Sequence, residues 1–150
     1  MVIALISQIP FIVALHQLRI NIVGTFIVCF LVLWCIDKFK NKATAVGTSI
    51  IGLVVLEVLP FDYGSYALLL ILAYKFLKSH PLVVVHLIIN LVFWFYKGWS
   101  LQIFSLIPTV VFVYWPTFFA LFDRVKVNRW VWRSFYPAHL IILAVVHFIF

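Results

Sequence analysis

The spacing of its charges constrains this chain more than any other feature. Seven apolar stretches, most of them near the length of a membrane helix, are separated by short charged gaps. They run from Met1 to about Leu15, Ile20 to Ile36, Ala43 to Leu56, Tyr63 to Tyr74, Pro81 to Tyr96, Trp99 to Phe122, and from near Ser134 to Phe150. A hydrocarbon core about 30 Å thick asks for about 20 helical residues. The third and fourth stretches fall short. They borrow length from the Val58-Leu59-Pro60 turn and from ends whose Lys side chains snorkel to the interface. None of the runs alternates strictly between apolar and polar residues, so the spans read as helices and not as barrel strands.

Composition excludes the other classes. Of the 150 residues 67% are hydrophobic and 10% charged, against about half and about a quarter in a soluble domain. Sixteen Phe, six Trp and six Tyr exceed what one small core can hide. A soluble globular domain, a disordered tail and a disulfide-stapled secreted module are thereby set aside. Cys29 and Cys35 share one apolar run, about 9 Å apart along a helix axis and out of disulfide range. They read as buried thiols acting as small hydrophobes. No basic segment precedes the first run, so it does not read as a secretory signal. The expected architecture is all-α, a polytopic transmembrane bundle of about seven helices forming one domain over 1–150.

The basic residues orient that bundle. Lys38, Lys40 and Lys42, then Lys75 and Lys78, then Arg124, Lys126, Arg129 and Arg133 follow the second, fourth and sixth stretches. The alternate gaps carry only Arg19 and Lys97, near Glu57 and Asp62. Nine of the eleven basic residues on alternate gaps is the pattern of the positive-inside rule, which places the N-terminus in the cytoplasm. The net charge of +7 is therefore explained by topology and anionic headgroups, and not by nucleic acid. The longest polar gap, Asp123 to Arg133, still holds Trp130 and Trp132, residues that anchor in the headgroup layer.

Three groups of polar residues are candidates for chemistry. In Ser134-Phe135-Tyr136-Pro137-Ala138-His139-Leu140, Pro137 suits the first turn of a helix. His139 then sits near the cytoplasmic surface, as a general base or as an interfacial residue that bonds a neighbouring helix. Arg129 and Arg133 precede it and could hold a phosphate-bearing ligand. In Glu57-Val58-Leu59-Pro60-Phe61-Asp62-Tyr63-Gly64, two carboxylates could bind a cation or orient a substrate amine. The alternative is a turn, with Asp62 as helix N-cap and Glu57 wetted at the boundary. His86 and Asn90, four apart on one helix face, are either a functional polar pair or glue between helices. His16, His147, Ser7, Gln8 and Gln102 carry less information. The chain has no Gly-x-Ser-x-Gly elbow, no Walker-type loop, no His-Glu-x-x-His and no Cys-x-x-Cys, which argues against a hydrolase or an ATP-driven pump.

Three segments together resemble one family. Ile6-Ser7-Gln8-Ile9-Pro10-Phe11, then Asp62-Tyr63-Gly64-Ser65-Tyr66 with Leu68-Leu69-Leu70-Ile71-Leu72, then Phe135-Tyr136-Pro137-Ala138-His139-Leu140-Ile141-Ile142-Leu143 are similar in order and spacing to the TraX family. Asn21 with Thr25-Phe26 resembles a further segment, so the likeness covers nearly the whole chain. The Phe-Tyr-Pro-x-His-Leu piece is the most specific. Two family features are not found: an adjacent Asp-His pair on a leading helix, and an Asn-Gly-x-Arg-Gly loop, where this chain reads Phe122-Asp123-Arg124-Val125-Lys126-Val127-Asn128-Arg129. On that comparison the chain reads as a shortened relative.

The resemblance implies a bacterial inner-membrane protein tied to conjugation, and an acetyltransferase that modifies a pilin-like or other envelope acceptor with acetyl-CoA. It implies His139 and Tyr136 in the active site, with Asp62 and Tyr63 on the opposite side of the membrane; the reading of the residues adds Arg124, Arg129 and Arg133 against the acetyl-CoA and Glu57 beside Asp62 and Tyr63 on the substrate side. Its partners would be the lipid bilayer and a pilin-like membrane protein, with an oligomer or partner subunit as a further option. The competing expectation is a non-catalytic structural or regulatory subunit of an envelope or phage-related assembly.

Overall fold

A computed structural model of the protein describes residues 19–120 and, singly, Gln8, Ile12, Asn128, Val131, Ser134, Phe135, Ala138, Ile141, Ile142 and Val145. Among them the chain is helical and contains no strand. The helices are α1 (Ile22–Phe39), α2 (Lys42–Val58), α3 (Gly64–Phe76), α4 (His80–Lys97), a 3-10 segment (Ser100–Ser105), α5 (Leu106–Tyr114) and α6 (Pro116–Ala120). The chain divides into two compact units: Met1–Ala67 together with Val127–Phe150, and Leu68–Lys126.

In the first unit α1 and α2 form an antiparallel pair. Asn21 starts α1, its side-chain oxygen accepting from the Gly24 amide at 3.2 Å, which satisfies one of the four orphan amides of the first turn. Lys40 ends it in the left-handed region, with φ 49°, its amide donating back to the Ile36 carbonyl. Asn41 then caps α2 through the Ala43 amide at 3.0 Å. Thr25, Cys29, Val32 and Ile36 are the buried stripe of α1, at the spacing of one helix face. Gly52 and Leu56 are the buried residues of α2. Phe30, Leu31, Trp34, Ile50, Ile51 and Val54 point outward, so this pair is apolar on its outer surface as well, which soluble proteins avoid.

The second unit is built on α4. Pro81 lies in its first turn, where a missing amide costs nothing. Gly98 closes it with φ 70°, the Gly98 amide donating to the Trp94 carbonyl at 2.9 Å. Leu82, His86, Ile89, Asn90 and Phe93 form its buried face, against the 3-10 segment and α5.

Both α1 and α4 are 18 residues long and apolar enough to cross a membrane, about 27 Å at 1.5 Å per residue. The second to fifth apolar stretches each become one helix, within a few residues of the expected ends. The sixth, expected as one span from Trp99 to Phe122, is divided into the 3-10 segment, α5 and α6. Pro116 explains the last break. It has no amide to continue the ladder and disfavours helical backbone at the residue before it, and Trp115 accordingly leaves the helix at φ −132°, ψ 56°.

Candidate functional site

Two polar assemblies stand out, one in each unit. The first is the turn between α2 and α3. Ile20 and Phe61 form an isolated parallel bridge, with the Ile20 amide donating to the Pro60 carbonyl and the Asp62 amide to the Ile20 carbonyl, both at 2.8 Å. The Thr25 hydroxyl adds a third tie, donating to the Asp62 carbonyl at 2.6 Å. Gln8 steadies the approach to α1: its amide group donates to the Arg19 carbonyl at 2.6 Å, and its oxygen accepts from the Asn21 amide at 3.1 Å. The backbone of this turn is thus fixed by hydrogen bonds over long sequence separations, beside the local bond from the Phe61 amide to the Leu59 carbonyl at 2.7 Å.

Its side chains have distinct roles. Glu57 reaches forward to Ser65 in the first turn of α3, accepting from its hydroxyl at 2.5 Å and from its amide at 3.4 Å. A carboxylate at a helix N-terminus is favoured by the exposed amides and the dipole. Glu57 therefore serves the α3 N-terminus, the position at which Asp62 could have been the cap and Glu57 merely wetted. The Asp62 carboxyl is half-buried, and burial raises it above its ordinary value of 3.8. The Tyr63 amide and the charge of Arg19 pull the other way. Tyr63 has φ 62° and Gly64 φ 49°, so a bulky residue holds the left-handed conformation that glycine normally takes. Such strain persists only where surroundings impose it. The Tyr63 ring lies 6.3 Å from that of Tyr66, centroid to centroid. The three substrate-side candidates therefore share one turn, with Glu57 committed to Ser65 and Asp62 and Tyr63 at its strained apex.

The second assembly lies between α4 and its neighbours. His86 Nδ1 is 2.8 Å from Thr109 Oγ1 and His86 Nε2 is 3.0 Å from Ser105 Oγ. The Asn90 amide donates to the same Ser105 Oγ at 3.3 Å. The Tyr74 hydroxyl reaches Thr109 Oγ1 at 2.5 Å. Near the start of α4, His80 Nδ1 lies 2.6 Å from the Tyr114 hydroxyl. His86 and Asn90 were legible as a pair on one face. Their partners Tyr74, Ser105 and Thr109 were not, because an isolated hydroxyl in an apolar run carries no pattern until the helices meet. Ser105 and Thr109, four apart, were the available signal.

His139, Tyr136, Arg124, Arg129 and Arg133 lie outside the described residues, as do His16 and His147. Cys29 is buried and Cys35 half-buried, and both are free thiols. A protein-family model described as TraX protein matches residues 1–147 of the chain. No curated protein and no solved structure matches it significantly.

Proposed function

Because the chain belongs to the TraX family, a family of conjugation-related membrane proteins, we propose that it is an acetyltransferase of the bacterial inner membrane acting on a pilin-like or other envelope acceptor. The family match over nearly the whole length carries this reading. In it the chain crosses the bilayer about seven times from a cytoplasmic N-terminus, and the alternating basic gaps support that arrangement.

Acetyl-CoA is the acyl donor and a substrate of the reaction. Arg124, Arg129 and Arg133 would hold its phosphates, since a guanidinium offers several donors at once to phosphate oxygens. His139 would take the proton from the acceptor amine as its nitrogen bonds to the thioester carbonyl carbon. The C–S bond breaks in the same exchange, and CoA leaves as the thiol after receiving a proton. Tyr136 would stand beside His139 to orient the reacting groups. Asp62 and Tyr63 would present the acceptor chain on the other side of the membrane. The fixed backbone and strained apex of the α2–α3 turn support a binding role there.

The test is transfer of labelled acetyl from acetyl-CoA to a pilin-like acceptor, using the full chain in detergent. Wild-type protein is expected to acetylate the acceptor amine, with the rate falling about a hundredfold or more in His139→Ala, the scale of a general base. Equal rates in a folded His139→Ala sample would remove His139 from the mechanism. No transfer by wild type to any envelope acceptor would favour the non-catalytic subunit.

A further inference from the structure

Each hydroxyl that faces His86 has a second acceptor within reach. Thr109 Oγ1 lies 2.8 Å from Nδ1 and 3.3 Å from the Ser105 carbonyl oxygen. Ser105 Oγ lies 3.0 Å from Nε2 and 2.5 Å from the Gln102 carbonyl oxygen. A hydroxyl carries one hydrogen and can accept others. Where the ring nitrogen is bare, the facing hydroxyl donates to it. Where the nitrogen is protonated, its N–H donates to the hydroxyl oxygen, and the hydroxyl hydrogen turns to the carbonyl. Both neutral tautomers and the imidazolium are therefore hydrogen-bonded at both nitrogens. A histidine that only ties helices together needs partners for one of these three forms. An imidazolium without them would be very costly in so buried a place.

Tyr74 links the buried ring to the outside of the fold. His86 is 1% exposed and Tyr74, as a residue, 42% exposed; Tyr74 stands in the last turn of α3 beside Lys75, and its hydroxyl touches Thr109 Oγ1. The groups that α3, the 3-10 segment and α5 set against His86 are Tyr74, Ser105 and Thr109, of which only Tyr74 titrates. From α4 itself Asn90 joins the cluster through Ser105.

We propose that His86 is a proton-binding site, loaded from water through the Tyr74 and Thr109 hydroxyls. Tyr74 takes a proton from a hydronium ion, which leaves as water, and passes its own to Thr109, which passes its own to Nδ1. The O–H bonds that break are replaced in turn, one proton is gained by the ring, and nothing is oxidised or reduced. Thr109 then donates to the Ser105 carbonyl while accepting from Nδ1–H and from Tyr74. Release runs the same steps backward. This site is independent of the acetyl-transfer reading and shares no residue with it.

The experiment is a pH titration of the ring nitrogens by NMR, on the full chain labelled with 15N-histidine in detergent micelles. The His86 signals are identified by their loss in His86→Gln, or in a variant in which the other four histidines are Gln. His86 is expected to convert reversibly from neutral to charged as the pH is lowered across the range in which the protein stays folded. In Thr109→Val, which keeps the shape and removes the hydroxyl, that conversion is expected to be lost or displaced by about one pH unit or more. Tyr74→Phe leaves both ring partners in place and is expected to slow proton exchange without moving the midpoint. A ring that stays in one neutral tautomer across that range in wild type, or that titrates and exchanges identically in both variants, would overturn the proposal.

Discussion

Thr25 and Asp62, 37 residues apart in the chain, are joined by a 2.6 Å hydrogen bond from the Thr25 hydroxyl to the Asp62 carbonyl. Thr25 is fully buried, and removing its hydroxyl takes this donor from the part-buried Asp62 carbonyl. Losing such a hydrogen bond costs about 0.5–1.5 kcal/mol. Thr25→Val, which keeps the shape, is therefore expected to lower stability by that amount, and Thr25→Ser to recover most of it. Thermal unfolding in detergent, followed by tryptophan fluorescence, reads both.

Asp62 makes the same region sensitive to pH. Burial favours its neutral form, so its pKa in the folded protein lies above the ordinary 3.8. The sign follows from linkage. The fold's preference for protonated Asp62 is fully present below the unfolded value and is lost as pH rises through the raised one. At neutral pH the ionised carboxylate opposes folding. Asp62→Asn, which still offers an acceptor to the Tyr63 amide, is expected to raise the melting temperature at pH 7 and to leave it unchanged below about pH 4.

Gly24 sets two effects against each other. Alanine is the better helix former by about 1 kcal/mol. A Cβ on Gly24, however, would run into Ile20 Cγ2. That methyl sits on the Cβ of a branched side chain, so clearing it takes a χ1 rotation that a β-branched residue resists. Overpacking of this kind costs about 1–3 kcal/mol. Gly24→Ala is expected to be neutral to destabilising by about 2 kcal/mol, measured by the same unfolding assay. A gain in stability would show that Ile20 yields.

Tyr63 is expected to behave in the opposite way. Its left-handed backbone, φ 62°, costs about 1–3 kcal/mol for a residue with a Cβ. Tyr63→Gly removes that strain but also the ring beside Tyr66. The variant is expected to unfold at a similar or higher temperature while losing acceptor binding, if the tyrosine is retained for recognition. Equal acceptor binding would assign Tyr63 to structure alone.

The helices were legible where charge and apolar periodicity agreed. Asn21, Asn41 and Gly98 mark helix ends by chemistry visible in the chain, and the apolar runs between charges became α1 to α4. The break before Pro116 has its own signal in the chain, a proline inside an apolar run, whereas the expected single span from Trp99 to Phe122 followed charge alone. The Glu57–Ser65 contact and the Thr25–Asp62 bond were not legible. Both depend on how separate elements dock, and single polar residues in loops satisfy several turn patterns equally well. His86 and Asn90 showed their shared face through spacing alone, whereas the hydroxyls that complete the cluster emerged only with the packing of the 3-10 segment and α5 against α4 and the reach of Tyr74 to Thr109.

Acetyl-CoA binding to the purified full chain, measured by calorimetry in detergent with an unrelated nucleotide as control, tests the acetyltransferase reading most directly. The expected result is saturable binding to wild type that weakens by about tenfold in Arg129→Ala and in Arg133→Ala, the loss of about 1.4 kcal/mol for a charge-assisted contact. No binding at about millimolar ligand, an affinity of about 4 kcal/mol, in a sample shown to be folded would contradict it and leave a non-catalytic membrane subunit.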